Sequence, residues 1–108
     1  MRRNIRGLEE IIKNYEAFLV DLWGVVHNGV KLFPNILKVL QKIKECNKEV
    51  IFITNAPRRS NVIKDQLKFF GVDYSIYKDV ISSGEISYEK MKTLIANSHK
   101  KLFCYHIG

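Results

Sequence analysis

The chain has 108 residues, of which 46% are hydrophobic and 27% charged, a composition that is typical of one globular domain and excludes wholesale disorder. No stretch approaches the roughly 20 apolar residues that a membrane-spanning helix needs, and the basic N-terminus lacks the apolar core of a signal peptide. We therefore expect a cytoplasmic protein that does not bind membranes.

A net charge of +7 raises the question of nucleic-acid binding, because basic surfaces attract phosphate backbones. The lysines are scattered along the chain, however, and the tight basic groups are Arg2-Arg3 and Arg58-Arg59. No recognition motif accompanies these groups. We therefore expect no nucleic-acid partner.

Four segments have the apolar spacing of amphipathic helices, with hydrophobic residues three or four positions apart. In chain order these segments are 6–15, 34–46, 59–70 and 85–96. Pro34 suits the first turn of the second segment, where a backbone N–H is not needed. Gly71 follows the third segment as a typical C-terminal cap, and Ser83 is placed to cap the fourth.

Apolar runs between these helices predict strands. They are 17–22, 49–54, a short strand within 78–85, and 101–107. The first two runs are continuous, as in strands that are buried on both faces. Strands that alternate with helices form crossover units and a parallel sheet. The predicted fold is therefore α/β: a Rossmann-like parallel sheet with helices on both faces.

Polar residues stand where the predicted strands end. Asp21 closes the first strand, Thr54 and Asn55 close the second, and Ser82 and Ser83 follow the short one. Functional sites of open parallel sheets gather at the carboxyl ends of the strands. We therefore expect these side chains to converge on one site.

Asp21 follows apolar residues on a strand that is expected to be buried, so its carboxylate needs water, a metal ion or a hydrogen-bond donor. Two functions fit: a nucleophile that forms an aspartyl-phosphate, and a ligand of a hard cation such as Mg²⁺. The structural alternative is a carboxylate that accepts hydrogen bonds from local backbone N–H groups. The position alone leaves these alternatives open.

The residues after Asp21 predict a tight turn and a small flap. Gly24 follows the strand directly, and Asn28-Gly29 between apolar flanks is a strong hairpin signal. A flap above a carboxylate suggests a gated site, and an ordinary hairpin is the alternative.

Thr54 and Asn55 have the hydroxyl and amide groups that hydrogen-bond phosphate oxygens without adding charge. The alternative is a simple turn that leads into Pro57. Arg58 follows and is within reach of an anionic substrate, or is a solvated surface arginine. Small anionic substrates therefore suit this part of the sequence.

Three stretches, in this order and spacing, resemble the haloacid dehalogenase-like superfamily, and within it class IIA, the group that includes sugar and nitrophenyl phosphatases. They are FLVDLWGVVHNG (18–29), IFITNAPRRS (51–60) and DVISSGEISYEKM (79–91). The resemblance implies Mg²⁺-dependent hydrolysis of a small phosphorylated metabolite. It implies Asp21 as the nucleophile, Thr54 with Asn55 beside it as phosphoryl-binding residues, and Asp21 with the backbone carbonyl of Trp23 as Mg²⁺ ligands.

Two features depart from the family's pattern. Most phosphatases of the superfamily have a second aspartate two positions after the nucleophile, which acts as general acid and base, and here that position is Trp23. An indole cannot transfer a proton. The cap domain, the third-motif lysine and the acidic metal ligands of the family have no counterpart in residues 1–108. We therefore expect these residues to form a partial haloacid dehalogenase-like core without a cap.

Two functional hypotheses follow. The chain is a phosphatase that is weakly active or inactive alone, or it is a non-catalytic remnant or one half of a split enzyme that needs a partner chain. An incomplete sheet exposes an apolar edge, and such edges pair with other chains. We therefore expect self-association or a complementing chain.

Overall fold

The sheet of the computed structural model, which describes residues 4–107, has three parallel strands. They are β1 (Ala17–Asp21), β2 (Glu49–Thr54) and β3 (Asp79–Ser82), in the spatial order β1-β2-β3. The register pairs Asp21 with Ile53 and Thr54 with Ser82. The polar strand ends therefore meet at one edge of the sheet.

Three helices follow the strands. They are α1 (Ile36–Glu45), α2 (Ser60–Phe69) and α3 (Ser83–Ala96). Both crossovers, β1-α1-β2 and β2-α2-β3, run in the same direction, so right-handed connections place α1 and α2 on the same face of the sheet. The α/β, Rossmann-like prediction is confirmed, with an open sheet and no cap among the described residues. Within residues 4–107, no helix is both long enough and apolar enough to cross a membrane.

The hydrophobic core lies between the sheet and these two helices. Its strand residues include Val50, Phe52 and Val80, and its helix residues are Leu40, Ile43, Ile63 and Leu67, all at most 3% exposed. Leu22 and Val26, which follow β1, belong to the same core. The turn after Asp21 is therefore attached to the most buried part of the molecule.

The opposite face of the sheet, which we call the outer face, is largely open. Leu19 is 65% exposed, Ile53 37% and Ile81 40%. Ile86 of α3 lines a cleft with Ile53 and Ile81, but α3 buries none of its residues. The prediction that β1 and β2 are buried on both faces is therefore wrong, because α1 and α2 cover only one of them.

Two of the predicted segments do not form the expected elements. Residues 6–15 form two short 3₁₀ turns, Leu8–Glu10 and Ile12–Asn14, in which only Ile12 is buried and no side chain caps the ends. Residues 101–107 form no strand and are exposed, because they pair with no neighbouring strand that would satisfy their backbone groups.

The predicted helix ends are close to those observed. Gly71 follows α2 with a φ of 97°, as expected of a C-terminal glycine cap. The cap of α3 is Ser82 rather than Ser83, since the Ser82 hydroxyl accepts a hydrogen bond from the Glu85 N–H at 3.0 Å. The capping residue is therefore one position earlier than predicted, and the helix begins two residues earlier.

Candidate functional site

Asp21 lies at the carboxyl end of β1, in a cleft at the ends of all three strands. Thr54, Asn55, Ser82 and Ser83 line the same cleft, which we call the strand-end cleft. The structure thus brings together the polar residues that the sequence predicted to converge.

The Asp21 carboxylate is only partly satisfied by its own backbone. Its Oδ1 accepts a hydrogen bond from the Leu22 N–H at 2.8 Å, and no other hydrogen bond to this carboxylate is found among residues 4–107. The local backbone contact that was the structural alternative is therefore present. It occupies one oxygen and leaves the other free to react or to bind a cation.

Thr54 is nearly buried, whereas Asn55 is exposed. The Thr54 hydroxyl oxygen accepts a hydrogen bond from the Ala56 N–H at 3.2 Å, which orients the side chain. Its hydroxyl proton has no acceptor in the described part of the chain. Thr54 can therefore still donate a hydrogen bond to a ligand in the strand-end cleft.

The chain after Asp21 turns tightly around one carbonyl group. The Leu22 carbonyl oxygen accepts hydrogen bonds from the N–H groups of Val25, Val26 and His27, at 3.2, 2.8 and 3.2 Å. Gly24 has a φ of 78°, which a turn this sharp requires. The predicted turn is thus present and is anchored in the core.

The Asn28-Gly29 turn is also present, without a regular hairpin around it. The Asn28 Oδ1 accepts hydrogen bonds from the Val30 and Lys31 N–H groups, at 3.0 and 2.9 Å. The flanking chain forms isolated bridges, between Trp23 and His27 and between His27 and Leu32, and no strand. The segment is therefore a compact loop beside the strand end.

Trp23 forms a wall of this loop. Its indole lies against Gly29, and its ring centroid is 5.1 Å from that of His27. The side chain is 54% exposed. Among residues 4–107, no backbone hydrogen bond to the Trp23 carbonyl oxygen is found, so this oxygen is available to a cation.

His27 is a member of the site for which the sequence pattern predicts no role. It is 1% exposed, and its Nδ1 accepts a hydrogen bond from the Gly29 N–H at 3.0 Å. The ring also packs on Phe70 at a centroid distance of 5.1 Å. Burial lowers the pKa of the His27 imidazole below its ordinary value of 6.5. His27 is therefore neutral at physiological pH.

A second cleft, of about 620 Å³, lies next to the strand-end cleft. Trp23, His27, Thr54, Asn55 and Arg58 are among the residues that line it, and we call it the Trp23 pocket. Thr54 and Asn55 line both clefts. The predicted residues are therefore divided between two adjoining spaces that share the end of β2.

A polar network attaches the loop after β2 to α3; we call it the α3 clamp. Glu85 accepts two hydrogen bonds from the Arg59 guanidinium, at 2.9 and 3.0 Å, and one from the Ser60 N–H at 2.9 Å. These bonds, that of Arg59 first, lower the pKa of Glu85 to about 2. The Arg59 guanidinium also lies 3.5 Å from the ring centroid of Tyr88. The carboxylate of α3 thus stabilises the first turn of α2.

Two hydrogen bonds to backbone carbonyl groups complete the α3 clamp. The Ser82 hydroxyl donates to the Arg58 carbonyl at 2.7 Å, and the Gly84 N–H donates to the Ala56 carbonyl at 3.1 Å. A Cβ atom at Gly84 would overlap the carbonyl oxygens of Pro57 and Arg58. No local pattern predicts these contacts, since the partners are about 25 positions apart in sequence.

The described residues offer few metal ligands. Within 4–107, no three His, Cys, Asp or Glu side chains are grouped so as to hold a metal ion. The Asp21 carboxylate and the Trp23 carbonyl, which the family resemblance assigns to Mg²⁺, both have oxygen atoms without a hydrogen-bond partner among residues 4–107. Mg²⁺ is commonly bound by one or two carboxylates together with phosphate and water, so this set fits Mg²⁺ held jointly with a phosphorylated ligand.

Comparison with known proteins identifies the family to which the chain belongs. The family model described as haloacid dehalogenase-like hydrolase matches residues 18–108. The chain belongs to the haloacid dehalogenase-like hydrolases. The family prediction is thus confirmed, and the match includes every predicted site residue from Asp21 to Arg58.

A solved structure of the same family is similar. It is the crystal structure of a hydrolase, haloacid dehalogenase-like family, from Brucella suis 1330, with 32% sequence identity and a TM-score of 0.72. The similarity covers 84% of this chain and 33% of that one, so the chain spans about a third of that hydrolase's length. No curated protein matches the chain.

Proposed function

We propose that this haloacid dehalogenase-like chain carries the nucleophile and the phosphate-binding groups of a phosphatase that acts on a small phosphorylated metabolite. The observation that carries the proposal is the convergence of Asp21, Thr54 and Asn55 in the strand-end cleft. A carboxylate with a free oxygen, next to uncharged hydrogen-bond donors, suits phosphoryl transfer to the carboxylate.

In the proposed reaction, a carboxylate oxygen of Asp21 attacks phosphorus in line with the ester bond, which breaks. The Leu22 N–H fixes the other oxygen and so orients the attack. Thr54 and Asn55 donate hydrogen bonds to the equatorial oxygens. Water then attacks phosphorus, and the Asp21 carboxylate and inorganic phosphate are released.

The Asp21 carboxylate and the Trp23 carbonyl would hold Mg²⁺ in this proposal. When bound, the ion reduces the repulsion between the carboxylate and the phosphate dianion. Arg58 lines the Trp23 pocket and would contact the remainder of the substrate. The cytoplasm, where phosphorylated metabolites are abundant, is the compartment that this proposal implies.

The experiment is hydrolysis of p-nitrophenyl phosphate with Mg²⁺, by the wild type and by Asp21→Asn. Asp65→Asn is the matched control, since Asp65 is exposed and lies on α2. We expect Asp21→Asn to abolish turnover and Asp65→Asn to leave it unchanged. Mass spectrometry of the acid-quenched wild type should detect one phosphoryl group on Asp21. Equal rates for the wild type and Asp21→Asn would exclude Asp21 as the nucleophile.

A second candidate function is that of one half of a split enzyme, completed by a partner chain or by a second copy. The open outer face, with Leu19, Ile53 and Ile81 exposed, favours it. If the second candidate is correct, Asp21-dependent turnover appears only when the complementing chain is added.

A further inference from the structure

We infer that the Trp23 pocket receives the leaving group of the substrate, and that the chain therefore selects phosphates whose leaving group departs as a weakly basic anion: aryl and acyl phosphates rather than alkyl and sugar phosphates. This inference rests on the proposed function. It specifies, in addition, the class of substrate and the position of the leaving group.

The two clefts adjoin at the end of β2, and Asp21 lines only one of them. Thr54 and Asn55 line both the strand-end cleft, which contains Asp21, and the Trp23 pocket. A phosphoryl group held by these two residues has Asp21 on one side. Because displacement at phosphorus is in line, the leaving oxygen lies on the side away from the attacking oxygen. We assign that side to the Trp23 pocket, which shares Thr54 and Asn55 with the strand-end cleft and is not lined by Asp21.

No described residue that lines the Trp23 pocket is suited to protonate a leaving oxygen. Its side chains with polar atoms are Trp23, His27, Thr54, Asn55, Arg58 and Gln66. None of them is a carboxylic acid, and arginine retains its proton at all working pH values.

His27 is the one imidazole in this set, and its hydrogen bonding excludes it as an acid. Its Nδ1 accepts the hydrogen bond from the Gly29 N–H, which requires that nitrogen to be unprotonated. A neutral imidazole is too weak an acid to assist the departure of an alkoxide.

General acid catalysis typically contributes about 10²- to 10⁴-fold, and a basic leaving group depends on it most. Without it, the electron pair of the breaking bond must stay on an oxygen that tolerates the charge. Phenolates and carboxylates meet this condition, whereas alkoxides do not. The half-exposed indole of Trp23 also gives an aromatic leaving group a face to stack on.

The reaction balances without a proton from the protein. The bond between an Asp21 oxygen and phosphorus forms, the bond between phosphorus and the leaving oxygen breaks, and the leaving group carries off the electron pair as an anion. Water then attacks the phosphorus of the aspartyl-phosphate. One proton of that water stays on the released phosphate, the other goes to solvent, and Asp21 returns as a carboxylate.

The test measures kcat/KM of the full chain with Mg²⁺ for p-nitrophenyl, p-chlorophenyl and phenyl phosphate, whose phenols are weaker acids in that order. Acetyl phosphate and glycerol phosphate extend the series to an acyl and an alkyl leaving group. We expect a fall of at least about a hundredfold from the first aryl ester to the alkyl ester, with acetyl phosphate near the top.

Two variants probe the pocket itself. Trp23→Asp supplies an acid and should raise the rate for glycerol phosphate relative to p-nitrophenyl phosphate by about 10²-fold. Trp23→Phe supplies no acid and should keep the steep dependence on the leaving group. Thermal unfolding of each variant verifies that it is folded, and the wild-type series decides the question should Trp23→Asp not fold.

The outcomes separate this inference from the proposed function. Turnover that depends on Asp21 but is equal for alkyl and aryl esters would overturn the inference and leave the proposed function standing. A steep dependence that folded Trp23→Asp leaves unchanged would overturn the assignment of the pocket to the leaving group. Absence of Asp21-dependent turnover for every substrate would overturn the proposed function, and the inference with it.

Discussion

At the residue scale, Gly24 and Gly29 are required to be glycine for different structural reasons. Gly24 and Gly29 both have a positive φ, 78° and 88°. A Cβ atom at Gly24 would meet nothing within 4 Å, whereas one at Gly29 would overlap the Trp23 indole. Gly24 therefore serves the turn alone, and Gly29 also makes room for Trp23.

This difference predicts unequal costs for the two alanine variants. Gly24→Ala should lower the free energy of unfolding by about 1 to 2 kcal/mol, the cost of left-handed backbone. Gly29→Ala should lower it by about 1 to 3 kcal/mol more, because the indole must move. Denaturant unfolding measures both, and the fluorescence of Trp23, the single tryptophan, should change in Gly29→Ala alone. Equal unfolding midpoints would contradict the packing argument.

His27 gives the protein a dependence on pH. Because burial lowers its pKa in the folded chain, the unfolded chain binds a proton there first, from about its ordinary value of 6.5 downward. The stability associated with neutral His27 is thus complete above that value and is lost as the pH falls.

We expect the free energy of unfolding to decrease between about pH 7.5 and about pH 5.5, and His27→Gln to remove most of this slope. His99→Gln, which alters an exposed histidine, is the control and should keep the slope. Urea unfolding at several pH values measures it. A wild type whose stability does not change over this range would be inconsistent with a buried neutral imidazole.

At the scale of elements, α3 is held in a different way from α1 and α2. Each of the first two helices buries two hydrophobic residues in the core, whereas α3 buries none. Its attachment consists largely of the α3 clamp, with Glu85 at the centre. The clamp includes the backbone carbonyl of Arg58, so it also fixes the loop that lines the Trp23 pocket.

Glu85→Gln should release this end of α3. The variant loses the ionic part of the Arg59 contact and weakens the bond to the Ser60 N–H. We expect faster hydrogen exchange at Ser60 and in the first turn of α3, with no change in β2. Glu89→Gln, on the same helix and exposed, is the control.

In the wild type the clamp should persist on acidification until the pH approaches about 2, where Glu85 protonates. Unchanged exchange at Ser60 in Glu85→Gln would show that the carboxylate does not hold the helix.

The sequence predicts elements well where one local pattern decides them. β2 is predicted at its observed bounds because it is an uninterrupted apolar run, and the predicted ranges of α1 and α2 include the observed helices because their apolar faces meet the core. The same pattern fails for 6–15, in which only Ile12 is buried, and for 101–107, which is exposed. The α3 clamp and the burial of His27 depend on contacts between segments that are distant in sequence. Local spacing of residues does not predict such contacts.

At the scale of the whole molecule, the two faces of the sheet are covered unequally, since α3 packs on the outer face without burying any of its residues. Helices α1 and α2 lie on one face, and the outer face exposes Leu19, Ile53 and Ile81. Such a surface favours association with another polypeptide, and the unpaired edge of β1 offers backbone groups to a further strand. Self-association or a complementing chain is the proposal that agrees with this asymmetry.

Leu19→Glu tests this proposal directly. Since Leu19 is 65% exposed, the change should cost the isolated fold little, while a charge on the outer face should weaken any association there. We expect sedimentation velocity to detect self-association of the wild type and a smaller species for the variant. Val62→Glu, an exposed position on α2, is the control and should behave as the wild type. A wild type that is monomeric at every concentration, with a steep cooperative thermal transition, would argue against self-association.

The α3 clamp affects the order in which the elements of the molecule unfold. A helix held mainly by partly exposed polar contacts opens at a lower free energy than helices held by a hydrophobic core. Added salt weakens the Arg59–Glu85 pair and leaves the apolar contacts of α1 and α2 intact. Loss of structure therefore begins at α3, and the carbonyl of Arg58 is freed in the same event. The lining of the Trp23 pocket is thus the first part of the site to loosen, while Asp21 and Thr54 remain fixed at the ends of their strands.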